Sequence, residues 1–159
     1  MELENMNNKE RLEYFLQEFR TKYPLTIGWR LAKNSRVVLE HLYDDEEIEY
    51  AFYAQKNHSS FDIFGTAVIA LTDKRLVIGR DRVVIGYFFD SITSDMFNDL
   101  KVKSGIIWGR IEIDMVKEFV VLSNIDKRAL TEIEKKISSY MAEAKEDMLD
   151  VERIRNMEG

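Results

Sequence analysis

The chain has 159 residues, a formal net charge of -6 and no cysteine. That length buries a core large enough to fold without staples, and the missing thiols exclude disulfide frameworks, thiolate zinc sites and cysteine nucleophiles. The acidic balance opposes wholesale attraction to nucleic acid or anionic lipid, and His41 and His58 are the only imidazoles that can serve as bases or metal ligands.

Met1 to Glu10 is polar and acidic, without the basic-then-apolar order of an export signal. No apolar run approaches the roughly 20 residues that a membrane helix needs, so a soluble cytoplasmic protein is expected. Between Asn8 and Lys22, the residues Leu12, Phe15, Leu16 and Phe19 recur at spacings of three and four, which is one face of a helix. Pro24 marks a break after it. A second helix is predicted from Gly28 or Trp29 to Leu42, with Leu31, Ala32, Val38, Leu39 and Leu42 on a rougher stripe. The acidic run Asp44 to Glu47 lacks the Asp-x-Asp-x-Asp-Gly pattern of a calcium loop and reads as a solvated linker.

From Glu47 the period changes to two: Ile48, Tyr50, Phe52 and Ala54 alternate with Glu49, Ala51, Tyr53 and Gln55, the pattern of a strand with one apolar face. After a polar loop from Lys56 to Asp62, six further strands are predicted at Phe64–Leu71, Arg75–Arg80, Val83–Phe89, Ile92–Leu100, Ile106–Asp114 and Val116–Leu122. Turns fall at Thr72-Asp73-Lys74, Arg80-Asp81-Arg82 and Lys103-Ser104-Gly105, where Asp, Ser and Gly suit tight reversals. Asn124 or Asp126 then caps a long helix whose stripe runs through Leu130, Ile133, Ile137, Tyr140, Met141, Ala144, Met148 and Val151 to about Arg155. At 1.5 Å per residue such a helix spans about 45 Å, more than one small barrel covers.

The expected architecture is α+β: two N-terminal helices, seven antiparallel strands in a barrel or sandwich, and a long C-terminal helix. Leu71-Thr72-Asp73-Lys74-Arg75-Leu76, Phe89-Asp90-Ser91-Ile92-Thr93-Ser94, Gly109-Arg110-Ile111-Glu112-Ile113 and Asn124-Ile125, in that order and spacing, resemble the bacterial pleckstrin-homology-like (PH-like) domains, including the YokE-like group. The resemblance covers Glu46 to Met141. It implies a helical extension over 1–45, a PH-like domain over 46–141 and a helix extension over 142–159. It also implies a binding or assembly scaffold without established chemistry, the Thr-Asp-Lys-Arg-Leu element being a turn between strands and the Ile-Thr-Ser element the start of a later one.

PH domains that bind inositol phosphates use clustered Lys and Arg beside the loop between the first two strands. Here that loop offers one Lys and a mostly neutral His, so anionic lipid or a small anion is the weaker alternative, with Lys56, His58, Lys74 and Arg75 as candidate contacts. The plainer expectation for Lys74 and Arg75 is a solvated hairpin turn. His58 with Ser59 and Ser60 lacks the orienting acid of a triad, and His41 reads as a partly buried structural residue. Neither a catalytic group, nor a cofactor, nor a metal site is expected. Trp29 and Trp108 are expected to fill the core or a helix contact rather than stack on a ligand. The apolar stripe Leu12, Phe15, Leu16 and Phe19 must cover its own barrel, a neighbouring subunit or a partner, and Ala144, Met148 and Val151 pose the same question. The leading expectation is therefore a non-catalytic module for protein interaction or self-association.

Overall fold

The computed structural model describes residues 2–56, 65–82 and 85–158. Helix α1 (Asn8–Lys22) has the predicted bounds. Its start is fixed by a capping box: Asn7 accepts from the Glu10 amide while the Glu10 carboxylate accepts from the Asn7 amide. Helix α2 (Leu31–His41) begins three residues after Gly28. Before it, the Trp29 amide bonds Thr66 Oγ1, and Arg30 enters the helix in the left-handed region at φ 53°.

Seven strands follow: β1 (Ile48–Lys56), β2 (Thr66–Thr72), β3 (Leu76–Asp81), β4 (Tyr87–Ile92), β5 (Phe97–Ser104), β6 (Trp108–Met115) and β7 (Phe119–Asp126). They form one antiparallel sheet in the order β4-β3-β2-β1-β7-β6-β5, curled into a half-barrel. Helix α3 (Leu130–Glu158) closes the chain. Asp126 is the residue at its entry, accepting from the Arg128 amide through a short 3-10 turn, whereas Asn124 lies within β7.

The later strands begin three to five residues beyond their predicted starts or end beyond their predicted ends. Arg80 and Asp81 belong to β3, paired with Phe88 and Tyr87, and the reversal comes only where Gly86 takes a φ of 82° and its carbonyl accepts the Arg82 amide. Ile92 ends β4, and Thr93 to Met96 form a turn closed by the Met96 amide on the Thr93 carbonyl. The Ile-Thr-Ser element is thus a corner and not a strand start. The Thr-Asp-Lys-Arg element is the β2–β3 turn, closed by the Thr72 amide on the Arg75 carbonyl.

β1 pairs with β2 along its length but with β7 only at Gln55 and Lys56. Its first half therefore presents unpaired backbone toward the gap between the two halves of the sheet, and unpaired buried backbone is costly. α1 fills that gap. Asn8 donates to the Glu46 carbonyl and accepts from the Ile48 amide, while Arg11 donates to the Ile48 carbonyl. Leu12, Leu16 and Phe19 join one core with Val38 of α2, the sheet interior and Leu130, Ile133, Ile137 and Met141 of α3. α2 lies against β2 and β3, with Val38 and Asn34 directly over Gly79.

Candidate functional site

The β2–β3 corner is built around a buried ion pair. Arg75 sends Nε to Glu46 Oε2 at 3.0 Å and one terminal nitrogen to Glu46 Oε1 at 3.1 Å and to the His41 carbonyl at 2.9 Å. Its other terminal nitrogen reaches Ser91 Oγ at 3.1 Å, and the guanidinium lies 4.2 Å from the Tyr43 ring centroid. Glu46 also accepts from Thr72 Oγ1 and the Tyr43 amide. Burial alone would raise the Glu46 pKa, but the bonds from Arg75, Thr72 and Tyr43 outweigh it and hold the carboxyl below its usual range. Glu46 is 2% and Arg75 6% exposed, so Arg75 is not a solvated turn residue and Glu46 is not part of a solvated linker.

Lys56 and Lys74 lie beyond opposite ends of the β1–β2 pairing, and both are engaged by carboxylates of the chain itself. Lys56 bonds Asp90, and Lys74 pairs with Asp45 at 3.2 Å. His58 lies outside the described residues. His41 is half-buried, with Nδ1 2.7 Å from the Val37 carbonyl and its ring stacked on Phe89 at 4.4 Å. These contacts leave it a packing role.

A second polar cluster joins α1, β1 and α3. Glu132 accepts from Lys22, Tyr23 and Tyr50. Burial would raise its pKa, but those donors prevail and lower it; burial and the adjacent Glu132 raise that of Tyr50. No group of three or more His, Asp or Glu suited to a metal ion occurs among the described residues.

The apolar candidates divide. Leu12, Leu16 and Phe19 are buried by the chain's own core, and Phe15 is half-buried with its ring 6.1 Å from that of Tyr50. At the other end, burial in α3 stops at Met141 although the helix continues to Glu158. Ala144 is half-buried, and Met148, Leu149, Val151, Ile154 and Met157 are all exposed. Between α1 and α2 runs a groove of about 900 Å³ with Leu12, Leu16, Leu31 and Leu39 in its lining and Lys9, Arg20 and Arg36 among its polar residues. Trp29 and Trp108 are 49% and 40% exposed, so neither is a core residue.

No helix among the described residues is long and apolar enough to cross a membrane. A family profile described as Bacterial PH domain matches residues 42–139, more than half of the chain. Among solved structures, the chain is similar to a DUF1696 family protein with a pleckstrin-homology domain from Shewanella loihica PV-4. The identity is 14%, the TM-score 0.44, and the match covers 71% of this chain and 98% of that one. It is similar as well to a pleckstrin-homology domain from Shewanella amazonensis SB2B, at 21% identity and TM-score 0.48, over 70% of this chain and 98% of that one. A third likeness is to the hSac2 domain from human phosphoinositide phosphatase Sac2, at 13% identity and TM-score 0.45, over 74% and 81% of the two chains. No curated protein matches the sequence. With the family profile spanning the strands from before β1 into α3, the chain belongs to the bacterial PH domain family.

Proposed function

We propose that the chain is a non-catalytic self-association module in which the PH-like sheet is the scaffold and the end of α3 is the contact. The observation that carries this is the overhang: the stripe that packs the first half of α3 onto the sheet passes Met148, whose Sδ accepts from Ser94 Oγ at 3.1 Å, and continues through the exposed Val151 and Ile154. A solvent-facing helix is normally polar on every exposed side, and an apolar stripe beyond its own core requires a cover.

The same chain carries a surface suited to receive it. The α1–α2 groove has an apolar lining and the cations Lys9, Arg20 and Arg36 against the single acid Glu13. The overhang carries Glu146, Asp147, Asp150 and Glu152 against Arg153 and Arg155, with Asp150 3.6 Å from Arg153, so its acids remain in excess. An amphipathic helix laid in such a groove buries its apolar face while its acids meet the cations at the rim. Burying a large aliphatic side chain contributes about 1.5 to 3 kcal/mol, so three or four half-exposed anchors offset the cost of association at micromolar concentrations.

Light scattering coupled to size exclusion, run over a wide concentration range, tests the reading. The expected result is a mass that rises with concentration in the wild type and stays monomeric in a V151E/I154E variant. A wild-type monomer throughout removes self-association and leaves binding to a different protein.

A further inference from the structure

The β5–β6 hairpin ends in an unusual turn. Ser104 and Gly105 are followed by Ile106, Ile107 and Trp108, which are 90%, 43% and 40% exposed. Hairpin tips are normally polar, because Gly, Asn, Asp and Ser supply the angles and the solvated side chains that reversals need. Ile106 is the most exposed large apolar residue among those described.

This tip is rigidly held. The Gly105 amide bonds the Trp108 carbonyl at 2.8 Å, and the Lys127 amide bonds the Ile107 carbonyl at 3.1 Å. Trp108 Nε1 donates to the Leu25 carbonyl at 2.7 Å, so the one polar atom of the indole is satisfied within the chain while the ring stays accessible. The Leu25 side chain, 51% exposed, adds to the same apolar surface. Three backbone and side-chain hydrogen bonds thus prevent the collapse that would otherwise hide these groups.

The surroundings are basic although the chain as a whole is acidic. Lys103 and Arg110 are register partners next to the turn, and both lie 3.3 Å from Glu112, so two cations share one carboxylate. Lys101 stands opposite Glu112 two pairs further down. Lys127 has no ion-pair partner among the described residues, and Arg128 is held by Asp126 at 2.5 Å. An apolar point with a cationic collar matches the layers of an anionic bilayer: acyl boundary for the aliphatic residues, interface for the indole, phosphates for the ammonium and guanidinium groups.

We propose that the β5–β6 hairpin is a membrane-docking tip, inserting Ile106, Ile107 and Trp108 into the interface of an anionic bilayer while Lys103, Arg110 and Lys127 meet its phosphates. The tip shares no residue with the Lys56, Lys74 and Arg75 group. It rests on other residues than those that carry self-association through α3.

Sedimentation with phosphatidylcholine vesicles, with and without phosphatidylglycerol, tests this on the full chain. The wild type is expected to bind the anionic vesicles and to leave them as salt rises. I106D/I107D and K103E/R110E should each weaken partitioning by at least about tenfold, since each basic residue near such a surface contributes about 1 kcal/mol and reversal doubles the effect. In a W29F background, where Trp108 is the only tryptophan, binding should shift its emission to the blue. Thermal melts of the variants verify folding, which substitutions at these exposed positions leave intact. Failure of the wild type to bind anionic vesicles at low salt overturns the proposal, as does binding that I106D/I107D leaves unchanged. Loss of self-association in I106D/I107D without any vesicle binding would assign the tip to a protein partner instead and overturn it equally.

Discussion

Replacing Arg75 by Met removes a cation that is 6% exposed and leaves Glu46, at 2%, as a buried carboxylate with only Thr72 and the Tyr43 amide beside it. Breaking one side of a buried pair costs about 3 to 5 kcal/mol, because the partner's desolvation is no longer offset. For a chain of this size each kcal/mol lowers Tm by about 2 to 4 °C, so a fall of about 6 to 20 °C is expected. Arg75→Lys should fall between, since one ammonium cannot reach Glu46, the His41 carbonyl and Ser91 Oγ with the planar fork that Arg75 uses. Glu46→Leu combined with Arg75→Met should lose less than the sum of the two single changes, because the double variant strands no charge. Urea titrations followed by circular dichroism supply the three free energies. An Arg75→Met variant within about 0.5 kcal/mol of wild type, the range of ordinary surface substitutions, would refute the assignment of this pair as a structural corner.

Gly79→Ala should destabilise by about 1 to 3 kcal/mol in the same titration, because a Cβ there would stand 2.7 Å from Val38 Cγ2 and 3.0 Å from the Val38 nitrogen, forcing α2 off the sheet. Glu46 and Glu132 both have lowered pKa values in the folded chain, so their contribution is complete above the ordinary carboxylate range and is lost as pH falls through the depressed folded values. Stability measured from neutral pH downward should drop with acid, and Glu46→Gln should flatten that slope. Truncation before Glu146 removes no residue of the buried core, whose last member in α3 is Met141. It should leave the melt nearly unchanged while abolishing the concentration-dependent mass; a large loss of stability would show that the overhang folds back onto its own chain.

The periodic elements were legible because their signal is local. α1 matches its predicted bounds, since the Asn7 and Glu10 box and the stripe from Leu12 to Phe19 lie within one segment. β1 shows its alternation for the same reason, although both of its faces are buried beyond Glu49. Arg75 was misread because its partner Glu46 is 29 residues earlier, inside an acidic run whose other members stay at the surface. Nothing in either segment distinguishes the buried member until the sheet brings them together. The β3–β4 reversal was placed early because Asp81 is a good turn residue by type, yet its amide is held by Asn34 of α2 and its carboxylate by Arg30, contacts made only in the folded state. By sequence the tip reads as the start of a strand because Ile and Trp favour strands. The available signal was their position directly after Ser104-Gly105, where a reversal had already been expected and apolar side chains have no sheet to cover.

α3 connects the two proposed surfaces mechanically. Its entry is fixed at the tip: Lys127 bonds the Ile107 carbonyl, and Leu130 packs so closely on Gly109 that a Cβ there would stand 2.4 Å from it. Its 29 residues then span about 43 Å, which places the uncovered stripe at the far end of the helix from the hairpin. A bilayer held at the tip therefore leaves the overhang accessible. Three inserted side chains give only marginal, reversible membrane binding on their own, whereas joining two or more chains makes each later insertion intramolecular and raises the overall avidity without any new contact. V151E/I154E should accordingly weaken vesicle binding although it alters no residue near the hairpin, and the loss should shrink as protein concentration on the vesicles is lowered to where the wild type is itself monomeric. Equal vesicle binding by wild type and V151E/I154E at every concentration would show that the tip works alone and that the two surfaces serve separate ends.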